Sequence, residues 1–271
     1  MIIKPLDNQK GDSKNSVFPQ LPFTSYIVAS KKSGKTTLLL NLLLGFYKGK
    51  FNKIIWVSPT ASLDEKIQIL TKTPGLITKN MKLVNEIKKM LKKRPILSPD
   101  NEIVADLSNI DEMTTMMTKD DFLEELTIGY LNDMINKQKY IIDTFGKKNC
   151  NNVLLVLDDC IESKLLNDKR FRSFIFKSRH YNISVYFISQ SYYSLSKPLR
   201  NNNTQFIIFS TGNIKELRSI YEQNNNGLSW KEFYECYSIS TDRPYGFLNI
   251  NYDNSKKYRI IDNFNDFLTF E

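Results

Sequence analysis

Histidine is nearly absent: His180 stands alone in a chain of 271 residues. A metal centre built on imidazoles is therefore close to excluded. Cysteine is scarce too. Cys150, Cys160 and Cys236 form no Cys-x-x-Cys pair, and three is an odd number. That argues against a disulfide framework and against a zinc site. Apolar runs are short, and none approaches the roughly eighteen residues a membrane helix needs. Met1-Ile2-Ile3 meets Lys4 and Pro5 at once, without the sustained apolar run of a signal peptide. The expectation is a soluble, intracellular chain with no membrane partner. No internal repeat and no sustained heptad is found.

What is present is a 41% hydrophobic content, enough for one large α/β domain. The net charge is +9, from 38 basic and 29 acidic residues. It favours polyanions such as nucleic acid, and equally describes a solvated basic surface. Asn, Lys and Ile are abundant, as an AT-rich genome encodes, so part of the Lys excess reflects codons.

The stretch that organises the chain is Ala29-Ser30-Lys31-Lys32-Ser33-Gly34-Lys35-Thr36-Thr37. Tyr26-Ile27-Val28 precedes it and an apolar helix, running to about Phe46, follows. Strand, small-residue basic loop and helix are the context a phosphate-binding loop requires. Backbone N–H groups and the helix N-terminus would face the phosphates of ATP. Lys35 would reach the β- and γ-phosphates, and the Thr36 hydroxyl would hold Mg²⁺. Ala29 stands where the motif has Gly, which costs the loop some backbone freedom. The plain alternative is a Lys-rich turn.

Val153 to Leu157 reads as a buried strand ending in Asp158-Asp159. Ligands bind outside the C-terminal ends of parallel strands. Asp158 would hold Mg²⁺, and Asp159 would orient or activate the attacking water. Glu162 is the reserve for that second role. A strand over Ile183 to Ser189 ends in the pair Ser189-Gln190, and the Gln190 carboxamide would touch the γ-phosphate or its water. Arg200 sits in a loop before the strand at Gln205–Phe209. A guanidinium there suits a developing phosphoryl charge, or is a surface Arg in an Asn-rich loop.

The rest frames these motifs. Residues 1–20 read as a flexible arm, 21–250 as the nucleotide-binding domain and 251–271 as a C-terminal strand and tail. Lys53 to Val57 reads as a second buried strand, so the order makes a right-handed βαβ unit and a parallel sheet. Lys88-Lys89 and Lys92-Lys93-Arg94 read as the solvated face of a helix stopped by Pro95, with a nucleic-acid patch as the alternative. Asp106 to Asp121 reads as a loop or short helix. Phe122, Leu126, Tyr130, Met134 and Ile141 recur at near-helical spacing and predict one helix over 122–145. Ile214 to Glu222 and Trp230 to Glu235 predict helices. Phe247–Ile250 and Tyr258–Ile261 predict a hairpin, with a tail from Phe264.

Ser-Gly-Lys-Thr, an apolar strand with Asp-Asp, Arg179-His180-Tyr181-Asn182-Ile183-Ser184, a strand ending in Ser-Gln, and Leu199-Arg200-Asn201-Asn202 follow one another. This order resembles the viral genome-packaging ATPases of the FtsK–HerA superfamily, from about Pro22 to Phe209. The resemblance implies a P-loop NTPase of the ASCE, RecA-like kind, an α/β fold with a mainly parallel sheet flanked by helices. It implies ATP and Mg²⁺ as cofactors, Gln190 and Arg200 as catalytic residues beside Lys35, Asp158 and Asp159, and Arg200 acting across a subunit boundary. It implies a homo-oligomeric ring, hexameric or pentameric, that pulls double-stranded DNA into a capsid in an infected cell, with capsid or vertex proteins as partners. The alternatives are a helicase or partitioning motor of the same superfamily, a weakly hydrolysing nucleotide-binding scaffold, and a small-molecule P-loop kinase.

Overall fold

The computed structural model describes residues 4–5, 15–61, 64–93, 116–160 and 164–269. The fold is α/β, with a mainly parallel central sheet flanked by helices. The chain divides into two compact units. One holds residues up to Thr36, Leu157–Asn167 and Val185 onward, and the other holds Thr37–Val156 and Asp168–Ser184.

The first unit is built on β2 (Thr24–Val28), buried along its whole length. Parallel strands flank it on both sides: β6 (Ile183–Ser189), with Ile27 opposite Ile188, and β7 (Gln205–Phe209), with Ile27 opposite Ile207. A strand buried on both faces has no solvent side, hence the apolar stretches Tyr26–Val28, Val185–Ile188 and Phe206–Phe209, and the few polar residues among them are buried as well. Beyond β7 the pairing turns antiparallel through β8 (Phe247–Asn251), β9 (Ile260–Asp262), β10 (Asp266–Thr269) and β1 (Lys4–Pro5). The hairpin expected near the C-terminus is β8–β9. The tail expected from Phe264 instead carries β10, because Asp266 and Phe267 find partners in Asp262 and Ile261.

A polar rung crosses β2, β7 and β8 at the end where β2 begins. Ser25 Oγ donates to Gln205 Oε1 at 2.8 Å, Gln205 Nε2 to Asn249 Oδ1 at 3.0 Å, and Asn249 Nδ2 to the Val17 carbonyl at 2.9 Å. These side chains are fully buried, so each must find a partner inside the fold. Asn251 and Asn254 hold the Ser16 carbonyl, each at 2.9 Å, which ties residues 16–17 to the body of the unit.

The second unit contains β3 (Lys53–Val57) and β4 (Phe122–Leu123), paired parallel with Trp56 opposite Phe122. It also contains helices α2 (Met81–Lys93), α3 (Ile128–Phe145) and α4 (Lys169–Ser178). The single helix expected over 122–145 is corrected here. Phe122 and Leu123 join the sheet, and Thr127 caps α3 by accepting from the Tyr130 N–H at 3.2 Å. Gly146, at φ 85°, ends it. On α2, Leu83, Val84 and Ile87 pack with Ile141 and Cys150, while Lys82, Lys88, Lys89 and Lys92 face outward. That is the amphipathic pattern of a solvated helix. Arg94, Pro95 and most of the loop expected over 106–121 lie outside the described residues.

Candidate nucleotide site

The phosphate loop grows directly out of β2. The Ala29 N–H donates to the Ser189 carbonyl at 3.0 Å, which carries the β2–β6 ladder one residue further, and Ala29 is buried. The loop then turns. Ser33 Oγ donates to the Ser30 carbonyl at 2.7 Å, and positive φ falls at Lys32 (63°) and Gly34 (91°). The position where the motif has Gly is therefore an ordinary one here, and Ala29 meets no conformational penalty. Helix α1 (Lys35–Leu44) begins at the motif lysine, with Thr36 and Thr37 in its first turn. The N–H groups of its first turn and the exposed Lys31 and Lys32 give the loop a positive rim.

Strand β5 (Val153–Asp158) delivers the acidic pair. Asp158 is the last strand residue and only 7% exposed. Asp159 leaves the strand with φ 51°, the left-handed region that Asp enters more readily than most residues. Its N–H donates to the Ile188 carbonyl at 3.0 Å, holding the turn against β6. This backbone reversal aims the carboxylate at the loop. Lys35, 9% exposed, places Nζ 2.5 Å from Asp159 Oδ2. Gln190 Nε2 donates to the same oxygen at 3.3 Å. The other oxygen, Oδ1, is buried and accepts no hydrogen bond among the described residues. A buried carboxylate oxygen with unused acceptor capacity suits a water or hydroxyl donor.

Three of the residues expected at the site thus meet at one atom. Asp158 stands next to them, and Thr36 follows Lys35. A hydroxyl and a buried carboxylate are hard oxygen donors, the set Mg²⁺ accepts when phosphates complete its shell. Among the described residues no group of three or more His, Cys, Asp or Glu could hold a metal by itself. Glu162 lies outside the described residues.

Gln190 is held from both neighbours. Ser189 Oγ lies 2.8 Å from the Tyr26 hydroxyl, and Tyr26 in turn donates to the Ser191 carbonyl at 2.6 Å. Ser191 Oγ and the Tyr192 N–H both donate to Glu216 Oε1, at 2.7 Å each. Burial pushes the Tyr26 phenol well above the usual range, so it stays a donor. Tyr26 and Glu216 escaped sequence reasoning, because a lone Tyr in a strand and a lone Glu in helix α6 (Ile214–Asn224) carry no local signal.

Arg200 lies elsewhere. It ends a helical turn, α5 (Lys197–Arg200), and is 7% exposed. Its Nη1 donates to the Leu195 carbonyl at 2.6 Å and its Nε to Gln223 Oε1 at 3.1 Å, with the guanidinium 4.5 Å from the Tyr192 ring centre. Of the two readings, phosphoryl contact or surface arginine, the second is corrected: Arg200 is buried and donates to acceptors of its own chain.

One aromatic residue beside the loop was also missed. Tyr245 follows Pro244 ahead of β8 and rests on Gly34: a Cβ on that glycine would sit 2.9 Å from the Tyr245 ring.

No family model matches the chain, and no curated protein sequence does. Solved structures do. The genome-packaging NTPase B204 of Sulfolobus turreted icosahedral virus 2, bound to AMP, superposes with a TM-score of 0.52 at 16% identity, over 86% of this chain and 93% of that one. The DNA-packaging ATPase B204 of Sulfolobus turreted icosahedral virus gives 0.52 at 14% identity, over 86% and 95%. The chain has the B204 fold. The ATP-γS complex of the first virus's B204 gives 0.50 at 15% identity. At such identities the B204 likeness establishes architecture, a P-loop NTPase fold, and the chemistry has to be argued from the residues.

Proposed function

We propose that this chain is an ATP-hydrolysing motor that moves double-stranded DNA during viral genome packaging. The observation that carries the reading is the convergence of Lys35 and Gln190 on the Asp159 carboxylate, beside the phosphate loop of a chain with the B204 fold.

The chemistry follows from the groups present. ATP phosphates entering the loop meet the N–H groups of α1 and draw Lys35 away from Asp159, since a polyphosphate offers more charge than one carboxylate. Asp159, released, is free to accept from the attacking water through either oxygen. Gln190, fixed between Ser189 and Ser191, holds that water or the γ-phosphate and senses which is present. Mg²⁺, held by Thr36 and Asp158, would neutralise phosphate charge in the transition state. Lys31 and Lys32 add positive potential at the rim.

The reading includes a ring of identical subunits, hexameric or pentameric, a capsid or vertex partner and an infected cell as the setting, as the resemblance to viral packaging ATPases implies; the likeness to a protein described as a genome-packaging NTPase supports it. Among the described residues no helix is long and apolar enough to cross a membrane. The basic balance of the chain supports sequence-independent contacts with the DNA backbone, which carry strong salt dependence. For Arg200, in-chain bonds favour a structural role over one in trans.

The test is ATP turnover with and without long double-stranded DNA. DNA that stimulates turnover at low salt, with the stimulation fading as salt rises, supports the motor. Turnover indifferent to DNA, with a small-molecule acceptor phosphorylated instead, overturns it in favour of a kinase.

A further inference from the structure

Resting on the nucleotide reading of the phosphate loop, we infer that Tyr245 is the platform on which the nucleobase of the bound triphosphate lies, so that one chain supplies both the phosphate cradle and the base contact.

The placement follows from strand direction. Val28, the last residue of β2 before the loop, is opposite Ile208 of β7, and Ile208 is opposite Leu248 of the antiparallel β8. Residues entering β8 therefore emerge at the same end of the sheet as the loop. Tyr245 is there, with ring atom Cδ1 against Gly34.

The ring is also exposed and held. Tyr245 is 70% exposed, more than any other large apolar side chain among the described residues. Its φ is 62°, a backbone region that bulky residues seldom occupy and that is retained where the surroundings impose it. The surroundings here are specific. Arg243 Nη2 grips both carboxylate oxygens of Asp262 on β9, at 3.0 and 2.8 Å. The Gly246 N–H closes the turn on the Arg243 carbonyl at 3.0 Å. Gly246 has no room for a side chain, since a Cβ would meet the Ser240 carbonyl at 2.3 Å. The Phe247 N–H is taken by Asn263 Oδ1 at 3.1 Å. An aromatic side chain presented to solvent by so constrained a turn, beside a phosphate cradle, offers a π-face whose backbone has little conformational entropy left to lose. Planar bases stack on such rings regardless of sequence, through the face that every base has. Gly34 then has two reasons to be glycine: its φ of 91° and the ring above it.

The experiment compares binding of ATP and of inorganic tripolyphosphate, which has no base, to the full chain by calorimetry. Four proteins are used: wild type, Tyr245→Gly, Tyr245→Trp and Lys35→Ala. Tyr245→Gly is chosen because glycine accepts the positive φ and keeps the turn folded. The expected result is a roughly fivefold to hundredfold loss of ATP affinity in Tyr245→Gly, with tripolyphosphate unchanged and Tyr245→Trp close to wild type for both ligands. Lys35→Ala should weaken both ligands alike. Equal weakening of both ligands by Tyr245→Gly, no change in either, or tighter binding of both, which would make the ring a plug, overturns the platform while leaving the phosphate loop intact. If the wild type binds neither ligand, the nucleotide reading fails and the platform falls with it.

Discussion

Lys35 Nζ and Asp159 Oδ2 are 2.5 Å apart, so the cation that should hold phosphate is already engaged by the carboxylate that should act on water. Binding ATP exchanges one partner for another. Removing the charge at position 159 removes that competition. Asp159→Asn should therefore bind ATP as tightly as wild type or several-fold more tightly, measured by titration. Weaker binding would mean that the carboxylate supports the nucleotide directly.

Gln190 donates to Asp159 and is fixed by the bonds of Ser189 and Ser191 on either side. Gln190→Ala should lower kcat on the order of a hundredfold while leaving KM within a few-fold, since the amide acts on the reacting phosphate and not on binding. Steady-state kinetics checks this; a rise in KM at constant kcat would make Gln190 a binding group.

Arg200→Ala leaves the Leu195 carbonyl and Gln223 without their donor and uncovers the Tyr192 ring. The expected cost is about 2–3 kcal/mol of stability, seen in urea titrations. Because the defect is within the chain, adding wild-type subunits should not restore the altered ones. An unchanged urea midpoint, together with lost turnover, would instead put Arg200 at a neighbour's phosphate.

Burial pushes the thiols of Cys150, Cys160 and Cys236 up to about 12 from an ordinary value near 9, and the charges of Asp158 and Asp159 push Cys160 further the same way. The Tyr252 phenol, also through burial, is pushed up to about 12. The folded chain keeps these protons where the unfolded chain has lost them. Between about pH 9 and 12 the native state binds more protons, so stability falls as pH rises, and below pH 9 these groups contribute no slope. Urea midpoints across pH 7 to 11 should be flat at first and then decline. Native thiols should also resist alkylation at pH 8, because the thiolate is the reactive form.

Ala29 has ordinary backbone angles, and its N–H extends the β2–β6 ladder. Ala29→Gly should then destabilise by about 0.4–1 kcal/mol through the unfolded chain and leave turnover unchanged. A marked rise in turnover would show that the loop needs the freedom glycine supplies.

The motifs were legible because each is local. Lys35 follows a strand within one loop, Asp158 and Asp159 end an apolar run, and Gln190 ends the next. Their meeting at one oxygen was legible only through the parallel-sheet rule that places strand ends together. What escaped depends on distant partners or on backbone angles. Phe122 fits the helical spacing of Leu126 and Tyr130, yet its partner is Trp56, sixty-odd positions away, on β3. For Arg200 the sequence offered a phosphoryl contact or a surface position, because its Asn-rich neighbours are polar; the acceptors that bury it, the Leu195 carbonyl and Gln223 on α6, lie outside that loop. Tyr245 carries no motif, and the positive φ that presents it is invisible in Arg243-Pro244-Tyr245-Gly246.

The most direct test of the central claim is turnover of Mg-ATP by wild type, Lys35→Ala and Asp159→Asn, each with long double-stranded DNA. The account predicts measurable wild-type hydrolysis, none in Lys35→Ala because binding is lost, and a fall of about a hundredfold or more in Asp159→Asn although ATP still binds. Wild-type turnover in Asp159→Asn, or no hydrolysis by the wild type with DNA present, would contradict it.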